Sequence, residues 1–102
     1  MSVREGLLKK TGVPSEGELR KILKEEFDHP KLSGEPEIII ERPARGTTHL
    51  YVIWARWADL EQVVRSRIIL DAFQAAKGDE EMFQVTVSMG LTPEEAKRIG
   101  IE

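Results

Sequence analysis

Hydrophobic residues recur at intervals of three and four in two parts of the chain, and each part predicts an amphipathic helix. The first runs over residues 16–27, where Ser15 begins a capping-box sequence with a glutamate three positions later. The second runs from about residue 60 to residue 77. Asp59 is its predicted N-cap, and Gly78 is the residue type that commonly ends a helix.

Three further segments have the pattern of strands. Residues 37–42 contain three consecutive isoleucines, and residues 43–46 (Pro-Ala-Arg-Gly) have the sequence of a hairpin turn. The return strand, residues 47–56, is apolar on both faces, which is typical of a central strand. Residues 83–89 alternate between apolar and polar. The apolar side chains of this last strand are predicted to face inward: Phe83, Val85, Val87 and Met89.

The order helix, strand, strand, helix, strand predicts one domain of the α/β (α+β) class. A hairpin joins antiparallel strands, whereas the long helix before the last strand suits a right-handed parallel crossover. We therefore expect an α-β-β-α-β fold, in which a three-stranded mixed sheet has its helices packed on one face. The predicted domain spans residues 1–102, with a short N-terminal helix over 3–10 and a core over 15–96. Thr92-Pro93-Glu94-Glu95 predicts a short helix within a C-terminal segment, residues 92–102.

The composition of the 102 residues restricts the environment and the chemistry of the chain. Charged residues make up 32% and the net charge is −3, so no general attraction to nucleic acid or to anionic membranes is expected. The absence of cysteine excludes disulfides and thiolate ligands from the chain. The sequence has no apolar run long enough to predict a signal peptide or a membrane span. We therefore expect a bacterial or archaeal protein of the cytoplasm. The chain contains no asparagine and no cysteine. This absence is typical of thermophilic proteins, but a short chain can equally lack both residue types by chance.

Three short motifs occur in an order that is similar to the BolA-like family, whose fold is related to the type II KH domain. Thr48-His49-Leu50 opens the central strand, Arg65-Ser66-Arg67 lies in the long helix, and residues 91–95 (Leu-Thr-Pro-Glu-Glu) follow the last strand. The resemblance covers residues 16–96 and implies the fold given above, together with an iron–sulfur accessory role beside a glutaredoxin. The family's ligand histidine is replaced here by Gln84, and an amide is a poor substitute for imidazole.

Residues that carry catalysis are sparse. His49 is the one histidine in a predicted element, and we favour a structural or surface role for it, because sites need several converging groups. The sequence has no nucleophile motif, no phosphate-binding glycine loop and no pair of histidines at helical spacing. We therefore predict no enzyme activity, no cofactor and no metal site. The acidic run of residues 79–81 follows a helix end, where negative charge is unfavourable, and it is interpreted as solvated.

Arginines in the middle third of the chain are the main binding candidates. They are Arg42, Arg45, Arg56, Arg65 and Arg67. If the turn, the strand end and the helix face that carry them converge, they form a patch for anions or nucleic acid. The alternative, which we favour, is that Glu61 and Asp71 neutralise Arg65 and Arg67 at helical spacing on a solvated surface.

Trp54 and Trp57 lie three residues apart, so in a continuous strand they point to opposite faces. Trp54 is assigned to the core, and Trp57 either covers a core edge or is exposed to a partner. The candidate binding residues are Arg45, His49, Arg56, Trp57, Arg65 and Arg67. We expect a non-catalytic domain that binds another macromolecule, above all a protein partner or a second copy of itself. Nucleic-acid binding and the iron–sulfur accessory role are the alternatives.

Overall fold

The computed structural model describes residues 15–31 and 35–101 of the chain, and these residues form an α+β domain. Its elements are α1 (Glu16–Asp28), β1 (Glu37–Ala44), β2 (Thr47–Ile53), a 3₁₀ turn (Ala55–Trp57), α2 (Gln62–Lys77), α3 (Asp79–Phe83), β3 (Val85–Leu91) and α4 (Pro93–Arg98). The predicted class and element order are confirmed, with α3 as an addition. The helix predicted over residues 3–10 lies outside the described residues.

The three strands form one mixed sheet in the order β1-β2-β3, as predicted. β1 pairs antiparallel with β2, and β2 pairs parallel with β3. The hairpin turn is shorter than predicted, because β1 continues to Ala44 and only Arg45 and Gly46 form the turn. Gly46 has a φ of 77°, a conformation that glycine adopts without steric cost. The pairing of β1 with β2 is irregular between Glu41 and Ala44, which limits the regular part of β1 to its first five residues.

The two long helices pack together over one face of the sheet. The Ser15 hydroxyl accepts a hydrogen bond from the Glu18 N–H, so the predicted N-cap of α1 is confirmed. The rings of Phe27 and Phe73 meet edge to face at 5.2 Å between centroids. The buried cluster beneath the helices comprises Leu19, Leu23, Phe27, Leu50, Val52, Trp54, Trp57, Ile68, Ile69, Ala72 and Phe73. This cluster is the main hydrophobic core of the domain.

Ion pairs on the outer surface show that α1 and α2 run parallel. Glu16 near the start of α1 contacts Arg67 at 3.1 Å, and Arg20 one turn later contacts Asp71 at 2.8 Å. The partners advance in the same direction along both helices, which requires parallel axes. The predicted pairing of Arg67 with Asp71 along α2 is therefore wrong, because each residue binds α1 instead.

The short helix α4 lies on the other side of the sheet. Ala96 packs against Ile53 and Leu91 in a second, smaller buried cluster. The Thr92 hydroxyl accepts from the Glu95 N–H at 3.3 Å, and the Glu95 carboxylate accepts from the Thr92 N–H at 2.8 Å. This reciprocal capping box agrees with the predicted start of the terminal helix.

The end of β2 differs from the prediction. The strand stops at Ile53 rather than at residue 56, and the 3₁₀ turn returns the chain toward the core. Trp54 and Trp57 consequently lie in the same cluster, with their rings edge to face at 5.3 Å, and not on opposite faces. The Trp57 indole N–H donates to the Val52 carbonyl at 3.0 Å, which fixes the turn against the strand. α2 then begins at Gln62 with Glu61 as N-cap, so the predicted cap at Asp59 is wrong.

The faces of β3 also differ from the prediction. Phe83 belongs to α3 and is 75% exposed, rather than being the first inward residue of the strand. The β2–β3 register then shifts between Thr48 and His49, because Thr48 pairs with Val85 whereas His49 pairs with Val87. One extra residue in a strand exchanges its two faces. Beyond this irregularity the strand presents its small residues to the long helices, and its apolar ones to the opposite side.

The acidic run of residues 79–81 occupies the first turn of α3. Negative charge is favourable at a helix N-terminus, because the free N–H groups and the helix dipole present partial positive charge there. The run therefore has a structural explanation that its position after the long helix did not suggest.

Candidate functional site

The five candidate arginines do not form one patch. Arg45 lies in the hairpin turn before β2, whereas Arg56 lies in the 3₁₀ turn after it. Seven extended residues separate the two turns, which corresponds to about 23 Å along β2. Arg65 and Arg67 are on α2, on the helix-covered side of the sheet. The convergence that a nucleic-acid patch requires is absent.

Most of these arginines already have acidic neighbours. Arg42 lies 3.7 Å from Glu81, and Arg56 lies 3.9 Å from Glu18. The Arg56 guanidinium also lies over the Trp54 ring, 5.7 Å from its centroid. Arg67 binds the α1 carboxylate described above. Among the candidate arginines of the described chain, Arg45 alone has no ion pair, so little unneutralised positive charge remains for a phosphate backbone.

Arg65 is a buried structural residue rather than a surface contact. Its residue exposure is 6%. Its Nε donates to the Leu60 carbonyl at 2.8 Å, and its Nη1 donates to the Gly90 carbonyl at 3.0 Å. Nη1 also meets the Glu95 carboxylate at 2.8 Å. Arg65 thus joins the loop before α2, the end of β3 and the terminal helix, and its predicted pairing with Glu61 is wrong.

The Glu95 carboxylate responds to these neighbours. The Thr92 backbone N–H and then the Arg65 guanidinium hold the pKa of Glu95 below its usual value, although partial burial acts in the opposite direction. Its charged form is therefore stabilised in the folded protein.

Side chains of α2 seal the outer edge of β3. The Gln62 amide donates to the Gly90 carbonyl at 2.8 Å and accepts from the Gly90 N–H at 2.9 Å, as a neighbouring strand would. One turn later the Ser66 hydroxyl donates to the Ser88 carbonyl. The middle residue of the Arg65-Ser66-Arg67 motif therefore has a structural role in this chain. The edge that these side chains occupy is closed to a further strand.

Trp57 is fully buried, so the interpretation of this side chain as an exposed partner contact is wrong. It lies under the close contact between α2 and β3, where a Cβ atom on Gly90 would come within 2.9 Å of its ring. The residue contributes to the core instead of to a surface.

His49 is half-buried on the sheet face opposite the long helices. Its Nδ1 lies 3.9 Å from the Glu41 carboxylate, and its ring meets Tyr51 edge to face at 6.3 Å between centroids. The distance to Glu41 is too long for the hydrogen bond that orients a catalytic histidine. In residues 15–31 and 35–101, no group of three His, Asp or Glu side chains is placed to hold a metal ion.

The surface around His49 was missed by sequence reasoning. We call it the open face, and it consists of Ile39, His49, Tyr51, Val87 and Met89. These side chains are half-buried and adjacent across all three strands. Strict alternation from Phe83 predicts the opposite face for Val87 and Met89, because it does not include the extra residue between Val85 and Val87. Gly90 was the available signal, since glycine within a strand often marks the close approach of another backbone.

Comparisons with protein-family models, with curated proteins and with solved structures each found no match to this chain. The resemblance to the BolA-like family therefore rests on the three sequence motifs and stays a prediction. The helices within the described residues are all too short or too polar to span a membrane.

Proposed function

We propose that the protein acts by binding another protein through the open face of its sheet, and that it is not an enzyme. The observation that carries this proposal is the continuous, mostly apolar surface formed by the open face. One face of the sheet supports the long helices. Among the described residues, the cover on the other face lies at its end, where Ala96 of α4 packs on Ile53 and Leu91 and where Ile39 and Met89 border the contact. Apolar surface with an aromatic centre is typical of the core of a protein interface.

The central position of Tyr51 favours a protein partner. Tyr51 pairs with Ile39 on β1 and with Met89 on β3, so it lies in the middle of the open face. Tyrosine supplies a large apolar contact area together with a hydroxyl that bonds polar groups, and it is common among residues that dominate binding energy. Methionine beside it adapts to different partner shapes.

Electrostatics makes nucleic-acid binding the weaker proposal. Glu37 and Glu41 pair with Ile53 and His49 and so lie on the same side of β1 as the open face. Carboxylates beside a binding surface repel a phosphate backbone. An iron–sulfur accessory role is weaker again, because Gln84 stands where the BolA-like family has its ligand histidine.

The proposal is tested with matched surface variants. Tyr51→Lys combined with Val87→Lys places charge on the open face, whereas Val63→Lys combined with Phe83→Lys places the same charge elsewhere. Val63 and Phe83 are 67% and 75% exposed, so the control also replaces apolar surface residues. Proteins captured from the native host are purified, and their binding to each variant is measured by titration calorimetry. Both variants should melt close to the wild-type temperature.

We expect the open-face variant to bind its partner at least about 30-fold more weakly, which corresponds to the loss of one dominant contact. The control variant should bind within about threefold of wild type, because most surface contacts outside an interface contribute little. Equal affinity of all three proteins would contradict the proposal. Salt-dependent binding to RNA or DNA that is lost in Arg45→Ala would favour the nucleic-acid alternative.

A further inference from the structure

The open face has the width of one helix. It spans three strands, so the distance from β1 to β3 is about 10 Å, or two strand spacings. An α-helix with its side chains is about 10–12 Å across. The face of a sheet is buried either by helices or by another sheet, and both sides of this sheet already carry helices.

The chain's own α4 shows where a second helix fits on this side. Ala96 is fully buried against Ile53 and Leu91, at the ends of β2 and β3. Along β2 from this contact, Tyr51 lies about 7 Å away and His49 about 13 Å away. Packed helices lie about 8–10 Å apart. A helix beside α4 would therefore rest between Tyr51 and His49, on the part of the face that has no cover among the described residues.

The surface at this position suits the apolar side of an amphipathic helix. Met89 pairs with Tyr51, and Val87 pairs with His49, so two rows of side chains lie next to each other. All four residues are half-buried. An amphipathic helix presents an apolar stripe about 100° wide, with polar residues on both flanks. Its stripe would cover these rows while its flanks stay in water.

Charge distinguishes one border of this surface from the other. Glu41 pairs with His49 across β1 and β2, so it lies on the same side of the sheet. Its side chain is 57% exposed. Within the described chain its one ion-pair neighbour is the His49 Nδ1 at 3.9 Å, which is charged only when the imidazole is protonated. The β3 residues of the two rows, Val87 and Met89, are uncharged, so a cation is favoured on the β1 side.

We propose that the open face binds an amphipathic helix of a partner protein. The apolar stripe of this helix lies on Tyr51, Val87 and Met89, and a lysine or arginine on one flank faces Glu41. The interaction rests on the proposed function, because it specifies which element of the protein partner lies on the open face. Helices bind in this way to apolar grooves, and here α4 forms one wall of the groove.

The test uses a fluorescent peptide of about 18 residues, or five helical turns, made of leucine, alanine, glutamine and lysine. Its leucines recur at intervals of three and four residues, and its lysines line one flank of the leucine stripe. One matched peptide has glutamate in place of lysine, and another scatters the same residues around the helix. We expect saturable binding of the lysine peptide by fluorescence anisotropy. The scattered peptide should bind at least about tenfold more weakly, because it has no apolar stripe.

Substitutions in the protein locate the site and its charged border. The open-face variant defined above should bind the lysine peptide at least about 30-fold more weakly. Glu41→Lys should weaken this binding about threefold or more and strengthen binding of the glutamate peptide. The control Glu80→Lys makes the same change of net charge at an exposed site on α3 and should keep the wild-type preference.

A proline in the middle of the lysine peptide separates helical from extended binding. Proline breaks a helix, so this peptide should bind at least about tenfold more weakly. An extended segment would tolerate the same change. Circular dichroism should also show that the parent lysine peptide gains helical signal when it binds.

Absence of lysine-peptide binding to the folded wild-type protein would overturn the proposal. So would an unchanged charge preference in Glu41→Lys, or full affinity of the proline peptide. A dimer in sedimentation experiments that the open-face variant abolishes would also overturn it, because a second copy would then occupy the face. In each of these events the proposed function would stand if the open-face variant still lost its partner. Peptide binding at the open face, with a host partner indifferent to that face, would overturn only the proposed function.

Discussion

Replacing Gly90 with alanine tests whether α2 lies against β3 as closely as the structure places it. A Cβ atom at this position would stand 2.9 Å from the Arg65 Cβ and 2.9 Å from two atoms of the Trp57 ring. Neither neighbour is a flexible chain end, since one is a helix Cβ and the other a buried indole. The helix must therefore move away from the strand, and the bonds from Gln62 and Arg65 to the Gly90 carbonyl lengthen.

The expected cost combines three effects. Overpacking destabilises by about 1–3 kcal/mol, and each weakened hydrogen bond adds up to about 1 kcal/mol. Lower freedom of the unfolded chain offsets about 0.4–1 kcal/mol. We expect Gly90→Ala to lower the free energy of unfolding by about 2–4 kcal/mol. In a domain of this size the melting temperature should fall by on the order of 10–25 °C.

Urea unfolding followed by tryptophan fluorescence measures this change, because Trp54 and Trp57 are both buried in the core. The matched control is Gly17→Ala in α1, where a new Cβ meets no atom within 4 Å. It should leave stability unchanged or raise it by up to about 1 kcal/mol. Equal stability of Gly90→Ala and the wild type would refute the close contact between α2 and β3.

Two further predictions concern the pair formed by buried Arg65 and half-buried Glu95. Arg65→Ala should lower the free energy of unfolding by about 2–4 kcal/mol, because it removes the side-chain donor to the Leu60 carbonyl and one of the two donors to both the Gly90 carbonyl and the Glu95 carboxylate. The exposed Arg67→Ala should cost less than about 1 kcal/mol in the same urea titration, and similar losses would contradict the assignment. The pKa of Glu95 is lower in the folded protein than in the unfolded chain, so the charged carboxylate stabilises the fold. This stabilisation is fully present above the unfolded-state pKa of 4.5 and is lost as the pH falls through the lower pKa of the folded state. Melting temperatures measured from pH 6 down to about pH 3 should therefore fall more steeply for the wild type than for Glu95→Gln, and parallel curves would argue against the pair.

Local sequence signals located most of the fold. The capping residues Ser15 and Thr92 each bond to an N–H three residues later, and that geometry depends on neighbouring residues only. Gly78 ends α2 with a φ of 95°, as its position predicts. These elements and their order were sufficient to predict the mixed sheet, because a hairpin and a long crossover leave few arrangements.

Features that depend on distant residues were not predictable. Residues 54–57 have a strand-like composition, but the bond from Trp57 to Val52 and burial of both tryptophans favour the 3₁₀ turn. Glu95 is 30 residues from Arg65 along the chain, whereas helical spacing predicts the nearer Glu61 as the partner of Arg65, which is incorrect. The irregular pairing beside Thr48 leaves no mark on the apolar pattern, yet it decides which side chains form the open face.

The closure of the β3 edge by Gln62 and Ser66 limits how this protein can assemble. A sheet with two free edges can polymerise, because the first strand of one molecule pairs with the last strand of the next and each addition leaves a new free end. Here that head-to-tail contact is blocked on one side by an amide and a hydroxyl from α2. Even if a strand pairs at β1, β3 offers no second edge, so growth ends after a single addition. Closure of one edge is thus enough to prevent this sheet from extending into a fibre.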